Sequence, residues 1–451
     1  MSLFSLYFYA LFIVLLGLSA LFIKLLPNNK VLQNTILIVA SLIFIAFASW
    51  KCVIAILIVS FITWLCGIGK LKGWQYIGIT VLIAILVFYK FADAKNLNII
   101  IPLGVSFFTF NAISYLADVA NGETKSENFF KILLYLSFFP RLTSGPLQKS
   151  SDFFVQIENE RKITKENLSA GIQIYFLGLF KKLVFADRLS VFVNEVYATP
   201  NAFSGVSIWL AIISYSLLIY FDFSGYSDMA IGTGKMLGFD LPKNFNMPYL
   251  SQNVTEFWRR WHISLSTWIR NYIYIPLGGN RKGKIRQNLN LLIAMTLCGL
   301  WHGATINFIL WGFLHGVALL VHKQFLRIKK SENNTTCNNP VLKFISILCT
   351  FIFISLTWVL FRAENISEAL LIYKRMFTFA VGLNQPYFWS FIVMAVTLIT
   401  SIVLVIRNNA NAFYPCLNLS KYKHLTLFFV FIGLLFGLCC TNGSPFIYGA
   451  F

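Results

Sequence analysis

GVSIWLAIISYSLLIYFDFSGYSD, residues 205–228, is the stretch from which the fold is read. Gly205 to Phe221 carry no charged side chain. An apolar run approaching about 20 residues is what a helix needs to cross the hydrocarbon core of a bilayer. The run then meets Asp222, Ser224, Gly225, Ser227 and Asp228 without losing its aromatic character. This predicts a membrane helix near 205–221 that ends in the polar segment Tyr220–Asp228. Acids at membrane depth are costly and usually functional. A helix end simply meeting water is the plainer account of the same residues.

Runs of this kind recur near 2–23, 31–49, 52–68, 73–91, 98–117, 129–146, 168–185, 304–321, 341–361 and 424–440. With 205–221 they read as about eleven spans, and a further one lies near 386–406. The segment 287–301 would reach only about 22 Å as a helix, short of the roughly 30 Å core. Of the 451 residues, 57% are hydrophobic, 17% aromatic and 12% charged. Mean hydropathy is +0.70. A soluble fold could not hide that much apolar surface. No polar stretch is long enough to bury a core of its own, so 1–451 reads as a single all-α, multi-pass membrane domain. The first apolar run is too long for a signal-peptide core and follows no basic residue, so it is expected to remain a span.

The net charge of +20 is assigned to cytoplasmic loops meeting anionic lipid, not to nucleic acid. The stretch 254–286 carries Arg259, Arg260, Arg270, Arg281, Lys282, Lys284 and Arg286 against Glu256. The loops 322–345 and 407–424 are basic as well. All three are expected on the cytoplasmic side, with 362–385 and the tail 441–451 outside. The eight cysteines are scattered, with no CxxC and no metal-ligand spacing, and read as small hydrophobes.

Chemistry-bearing residues concentrate between about 220 and 316. Phe257-Trp258-Arg259-Arg260-Trp261-His262 interleaves two arginines and a histidine with two tryptophans, and Trp268 follows. Two readings fit. One is an amphipathic helix lying in the interface. The other is a re-entrant element whose Arg and Trp side chains hold an anionic, adenine-bearing ligand. Next, Leu300-Trp301-His302-Gly303 joins two apolar legs. A histidine at a glycine break between membrane legs points to function. His315, His322 and His424 read as helix-face or interface residues. No metal-binding histidine spacing occurs, and general acid–base work by one histidine is simpler than a metal site completed by Asp222 and Asp228.

These residues resemble the membrane-bound O-acyltransferase family. The branch is that of the membrane subunits of alginate and peptidoglycan O-acetylation, related to D-alanyl transfer onto teichoic acid. Matching segments occur in order: Pro102–Phe110, Phe138–Leu142 with Gly145-Pro146, Asp222–Asp228, Asn244–Tyr249, Phe257–Ser264, Tyr274–Gly279 and Leu300–Gly303. The resemblance implies a ring of tilted transmembrane helices with re-entrant segments around a central funnel. It maps the family's membrane histidine onto His302 and the branch's second histidine onto His262. It implies a cytoplasmic thioester donor, acetyl-CoA in acetylating members, and no bound cofactor. It also implies a bacterial inner-membrane location, a periplasmic C-terminus and a periplasmic polysaccharide O-acetyltransferase as partner. Peptidoglycan is the expected polymer, with alginate or another exopolysaccharide as the alternative.

Donor binding is expected from Trp258, Arg259, Arg260 and Trp261, with Asp222, Ser224 and Asp228. The tail Phe446-Ile-Tyr448-Gly-Ala-Phe451 resembles the end of a small partner peptide in D-alanylation, so Tyr448 is the expected acyl carrier. Gly449 departs from the branch's aromatic pattern, which keeps an aromatic anchor open as the alternative. A multi-span transporter is the rival from another class. It would show a two-half internal repeat, and the polar motifs here do not recur.

Overall fold

The computed structural model describes residues 5–26, 29–69, 73–95, 97, 99–159, 161–328, 339–378, 382–383, 387–406, 417–440 and 447. Among them the regular elements are all helical; an isolated bridge joins Phe203 and Leu383. Seven helices are long and apolar enough to cross a membrane, and four shorter apolar helices accompany them. That meets the expectation of a multi-pass all-α protein.

The first five helices are α1 (Leu6–Leu25), α2 (Lys30–Ala46), α3 (Trp50–Ile68), α4 (Trp74–Ala94) and α5 (Val105–Ala120). Ser5, Asn29 and Ser49 cap the first three by accepting from Phe8, Leu32 and Lys51 backbone N–H groups. The exposed faces are apolar: Ile13 and Val14 of α1 and Val87 and Phe91 of α4 stand outward. Such faces suit hydrocarbon as solvent.

The expected span over 129–146 does not form. α6 (Phe129–Ser137) stops after nine residues, and a short 3-10 turn, Phe139–Arg141, follows before α7 (Ser150–Glu158). Pro140 sits in that turn. Its missing N–H and its restriction of the residue before it end the helix there. The turn also explains why two motifs occur together. Gly104 has φ +72, and a Cβ on it would lie 2.2 Å from the Leu142 carbonyl oxygen, so a side chain there would push the two segments apart.

The centre is built by α8 (Lys165–Phe180), a π-helical segment Lys181–Ala186, α9 (Asp187–Ala198) and α10 (Gly205–Met236). The rod Lys165–Ala198 runs 34 residues without a break. α10 runs 32 residues and is buried along most of its length. The predicted end near Phe221 is therefore corrected. The helix continues through Asp222–Asp228, because its acids meet lysines of the neighbouring rod. Glycines set that contact: a Cβ on Gly178 would lie 2.4 Å from Gly225 O, and one on Gly171 2.7 Å from Gly232 O. Side chains are absent at the crossing, so the two backbones touch.

Beyond a short 3-10 turn come α11 (Val254–Arg260), α12 (Ile263–Ile269) and a π-helical segment Arg270–Tyr274. They are followed by α13 (Gly283–His302) and α14 (Ile306–Ile328), and then by α15 (Pro340–Arg362), α16 (Ile366–Arg375), α17 (Phe388–Ile406) and α18 (Tyr422–Leu438). The leg before His302 is longer than the sequence suggested. α13 begins at Gly283 and has 20 residues, about 30 Å of helix. Its first turn carries Lys284 and Arg286, which is why hydropathy alone placed its start too late. α13 and α14 meet at Gly299 and Gly312, where a Cβ on either would fall 3.1 Å from the other's Cα.

The chain just before α18 and the last residue of α18 meet the central rod at different heights. Gln173, near its start, donates to Leu417 O at 3.0 Å. Arg188, nearer its end, donates to Leu438 O. Basic Lys323 and Arg327 reach Asn288 and Gln287 across the α13–α14 hairpin.

Candidate active site

His302 is the last residue of α13 and is 3% exposed. Its ring is walled by Trp301, Trp311 and Phe361, at centroid distances of 4.6, 5.3 and 4.9 Å. The indole Nε1 atoms of Trp301 and Trp311 are buried and meet no hydrogen-bond acceptor among the described residues. Buried donors left open are uncommon and call for an explanation. Phe107 and Phe110, from the Pro102–Phe110 motif, pack on Trp301, the first edge-on and the second stacked. That motif is therefore a wall of the histidine site.

His262 stands on the same cluster. Its ring lies 4.7 Å from Phe223 and 6.4 Å from Trp301. Trp301 thus touches both histidines. His262 occupies the break between α11 and α12 with φ 42, a left-handed conformation that a non-glycine residue rarely adopts. The Asn244–Tyr249 motif laces the break shut. Asn246 N–H donates to Arg260 O at 2.9 Å and Ile263 N–H to Asn244 O at 2.9 Å. The Ser264 hydroxyl donates to Asn244 Oδ1 at 2.6 Å. A strained residue over-determined by its surroundings is a mark of a functional site.

A cavity of about 680 Å³ opens beside α11 and α12. Arg259, Arg270, His322 and Lys323 line it, with Thr255, Thr267 and Gln287 among its polar groups. Its wall includes Ala294 and Met295, about two turns before His302 on α13. Trp258 also lines it, and the Trp258 ring packs on Trp311 at 5.8 Å. The donors suit an anionic ligand, since Arg and Lys contacts to phosphate are the stronger, charge-assisted kind.

The two arginines of the motif diverge. Arg259 is exposed at this cavity. Arg260 is ion-paired with Glu256 at 2.7 Å and donates to Asn246 O. The two tryptophans diverge also. Trp261 is buried in an aromatic cluster with Phe245, Phe257 and Trp358. Trp258 donates from Nε1 to His315 Nδ1 at 3.3 Å. That contact sets the tautomer: His315 Nε2–H then donates to Thr357 Oγ1 at 3.0 Å, whose hydroxyl donates to Ile354 O. His315 is a fully buried structural relay, more than the helix-face residue expected. His322 Nδ1 meets Thr255 Oγ1.

A second cavity has a volume of about 320 Å³. Asp222, Lys182, Asp187, Arg362, Phe361 and Ile447 line it among others. Phe361 touches His302 and this cavity alike. Asp222 is therefore on a different wall from Arg259. Lys182 holds Asp222 at 2.8 Å and Asp187 at 2.9 Å, and Lys181 holds Asp228 at 2.6 Å, all buried. Ser224, on α10 between the two aspartates, is 1% exposed, and its Oγ has no partner among the described residues. Neither Ser224 nor Asp228 lines the Arg259 cavity. Tyr448 lies outside the described residues; its neighbour Ile447 is the described part of the tail.

Sequence reading passed over Lys181 and Lys182. The signal was present: two adjacent lysines inside an apolar run at membrane depth. Arg270 and Lys323 were counted as loop charge and not as cavity lining.

Comparison with known proteins adds the chemistry. The model of the MBOAT, membrane-bound O-acyltransferase family matches residues 9–363. A probable alginate O-acetylase of Pseudomonas putida is 38% identical over 376 residues, 77% of this chain and 75% of the relative. A peptidoglycan O-acetyltransferase of Helicobacter pylori is 37% identical over 351 residues, covering 69% and 65%. A teichoic acid D-alanyltransferase of Bacillus subtilis is 29% identical over 282 residues, covering 59% and 70%.

Proposed function

The chain belongs to the membrane-bound O-acyltransferase family, and from that premise we propose that it takes acetyl from acetyl-CoA and passes it across the membrane toward a cell-surface polysaccharide. The polymer is peptidoglycan in this reading, with alginate or another exopolysaccharide as the alternative. Relatives named for both polymers match at similar identity. The membrane is the bacterial inner membrane, and a periplasmic O-acetyltransferase completes the transfer.

One observation carries the reading. His302 is buried and packs on Trp311, which packs on Trp258 of the Arg259 cavity, and on Phe361, which lines the Asp222 cavity. A donor too large and charged to cross then needs only its acetyl carbon to reach the histidine. The Arg259 cavity takes the phosphates of the donor, with Arg270 and Lys323 beside Arg259.

His302 acts as general base. It removes the phenolic proton of Tyr448 as the oxygen attacks the thioester carbonyl, then returns a proton to the departing CoA sulfur. The Trp301 and Trp311 indole N–H groups supply donors to the carbonyl oxygen as it gains charge. His262 holds Trp301 and the acetyl group from the opposite face. The tyrosine phenolate is a better leaving group than a sugar alkoxide, so the outer partner can take acetyl from the Tyr448 ester and release the phenol.

Mass spectrometry of wall fragments from cells with and without the protein tests the function. Loss of O-acetyl from muropeptides is expected. Unchanged muropeptides with loss of acetyl from an exopolysaccharide would move the substrate to that polymer, and no loss in either would overturn the reading. Tyr448→Phe keeps the ring and removes the hydroxyl. Normal acetylation in that variant would make Tyr448 an anchor.

A further inference from the structure

Described residues 438–440 and 447 are held to the centre by polar contacts with α9, the π-helical segment and α10. Arg188, second residue of α9, donates from Nε and Nη2 to Leu438 O at 3.3 and 3.2 Å, and from Nη2 to Cys439 O at 3.2 Å. Cys440 N–H donates to the carbonyl of Leu183, inside the π-helical segment, at 3.0 Å. Ile447 N–H donates to Asp222 Oδ2 at 2.8 Å. The three positions Arg188, Leu183 and Asp222 thus take up four described backbone positions of the C-terminal segment in order.

The Arg188 contacts alone could be a helix C-cap donated by a neighbour, since arginine satisfies terminal carbonyls and suits the helix dipole. The Asp222 contact is of another kind. Lys182 is one cation shared by two carboxylates, Asp187 and Asp222. Asp222 keeps acceptor capacity that the ion pair does not use. A buried carboxylate favours a further donor strongly, and here the donor is a main-chain amide of the tail. Ile447 lines the 320 Å³ cavity together with Phe361, whose ring edge meets His302. π-helical segments inserted in longer helices occur often at functional sites. This one sets the lysine that bridges Asp222.

We infer that Arg188, the Leu183 carbonyl and Asp222 form a docking clamp for this chain's own C-terminal segment, seating residue 447 at the cavity next to His302. Asp222 and Arg188 are then positioning residues, acting through the tail and not on the acetyl group. The purpose of the clamp rests on the reading of Tyr448 as acyl carrier. Its existence does not.

The test is hydrogen-exchange mass spectrometry of the full-length protein in lipid nanodiscs, read at the C-terminal peptide spanning residue 447. Asp222→Leu removes the acceptor and leaves Lys182 its second partner, Asp187. Arg188→Gln removes the other end of the clamp. Exchange at the C-terminal peptide is expected to rise by about tenfold or more in Asp222→Leu, while α10 peptides stay protected. Arg188→Gln should release 438–440 first. Acetyl transfer should fall through kcat, with the KM for acetyl-CoA unchanged, because the donor cavity is untouched. Tyr448→Phe should abolish transfer and leave the tail protected. Unchanged exchange at residue 447 in folded Asp222→Leu and Arg188→Gln proteins overturns the clamp. A freed tail with normal transfer supports the clamp and overturns the carrier reading instead.

Discussion

At the residue scale, His302 and the two motif arginines carry the clearest expectations. His302→Ala should lower acetyl transfer by about 10²–10⁴ while the protein still folds. An imidazole removed from an aromatic box costs packing as well, so His302→Gln is the companion variant, and both are measured on purified protein. Near-normal turnover in either would remove His302 from the chemistry. Arg259 and Arg260 are adjacent in sequence and separated in role. Arg259→Ala should raise the KM for acetyl-CoA by roughly tenfold to a hundredfold, the loss of a charge-assisted contact. Arg260→Ala unpairs Glu256 and frees Asn246 O, so its effect should appear in stability, by about 0.5–1 kcal/mol for a pair still partly open to solvent. Equal effects of the two on donor KM would contradict the division.

At the element scale, the α8–α10 contact sets the register of the buried charges. Gly178 and Gly225 allow the backbones to touch, and that approach brings Lys181 to Asp228 and Lys182 to Asp222. Gly178→Leu should separate the rods, cost about 1–3 kcal/mol as an overpacked core does, and abolish transfer by breaking the ion-pair register. The Lys181–Asp228 pair can be tested without touching the cavity residues. Lys181→Met alone strips a buried carboxylate of its cation and should destabilise by about 3–5 kcal/mol. Adding Asp228→Leu should return most of that loss. A single variant as stable as the parent would mean that the pair is not buried in the working protein.

At the scale of the whole molecule, the proposed passage of acetyl requires the two cavities to face opposite sides of the membrane. The basic ends of α13 and α14 and the described residues 417–424 should be cytoplasmic, and Arg362 with the tail external. Cysteines placed at 345, 366 and 420, labelled by impermeant maleimide from each side, check this. Labelling at 366 and 420 from the same side would break the topology and, with it, the passage of acetyl from one cavity to the other.

Much was legible from the sequence alone because membrane insertion is a property of runs. Apolar length marked 205–221, 304–321, 341–361 and 386–406 as spans, and helices are found at each. Local punctuation marked Trp301-His302-Gly303 and the Arg–Trp segment as sites of interest. Run length misjudged several places, among them 129–146, where Pro140 breaks the helix, the end of α10, and the start of α13. In the last two, polar residues lie inside a helix, and hydropathy reads them as its boundary. Which polar group faces which was decided by tertiary structure. Lys182 meets Asp222 across 40 positions because two glycine stripes set how closely the helices approach and how they are rotated. Asp222 belongs to the tail cavity and Arg259 to the basic one for the same reason. A side chain's partner depends on helix rotation and crossing, and neither is written in the composition of any one run.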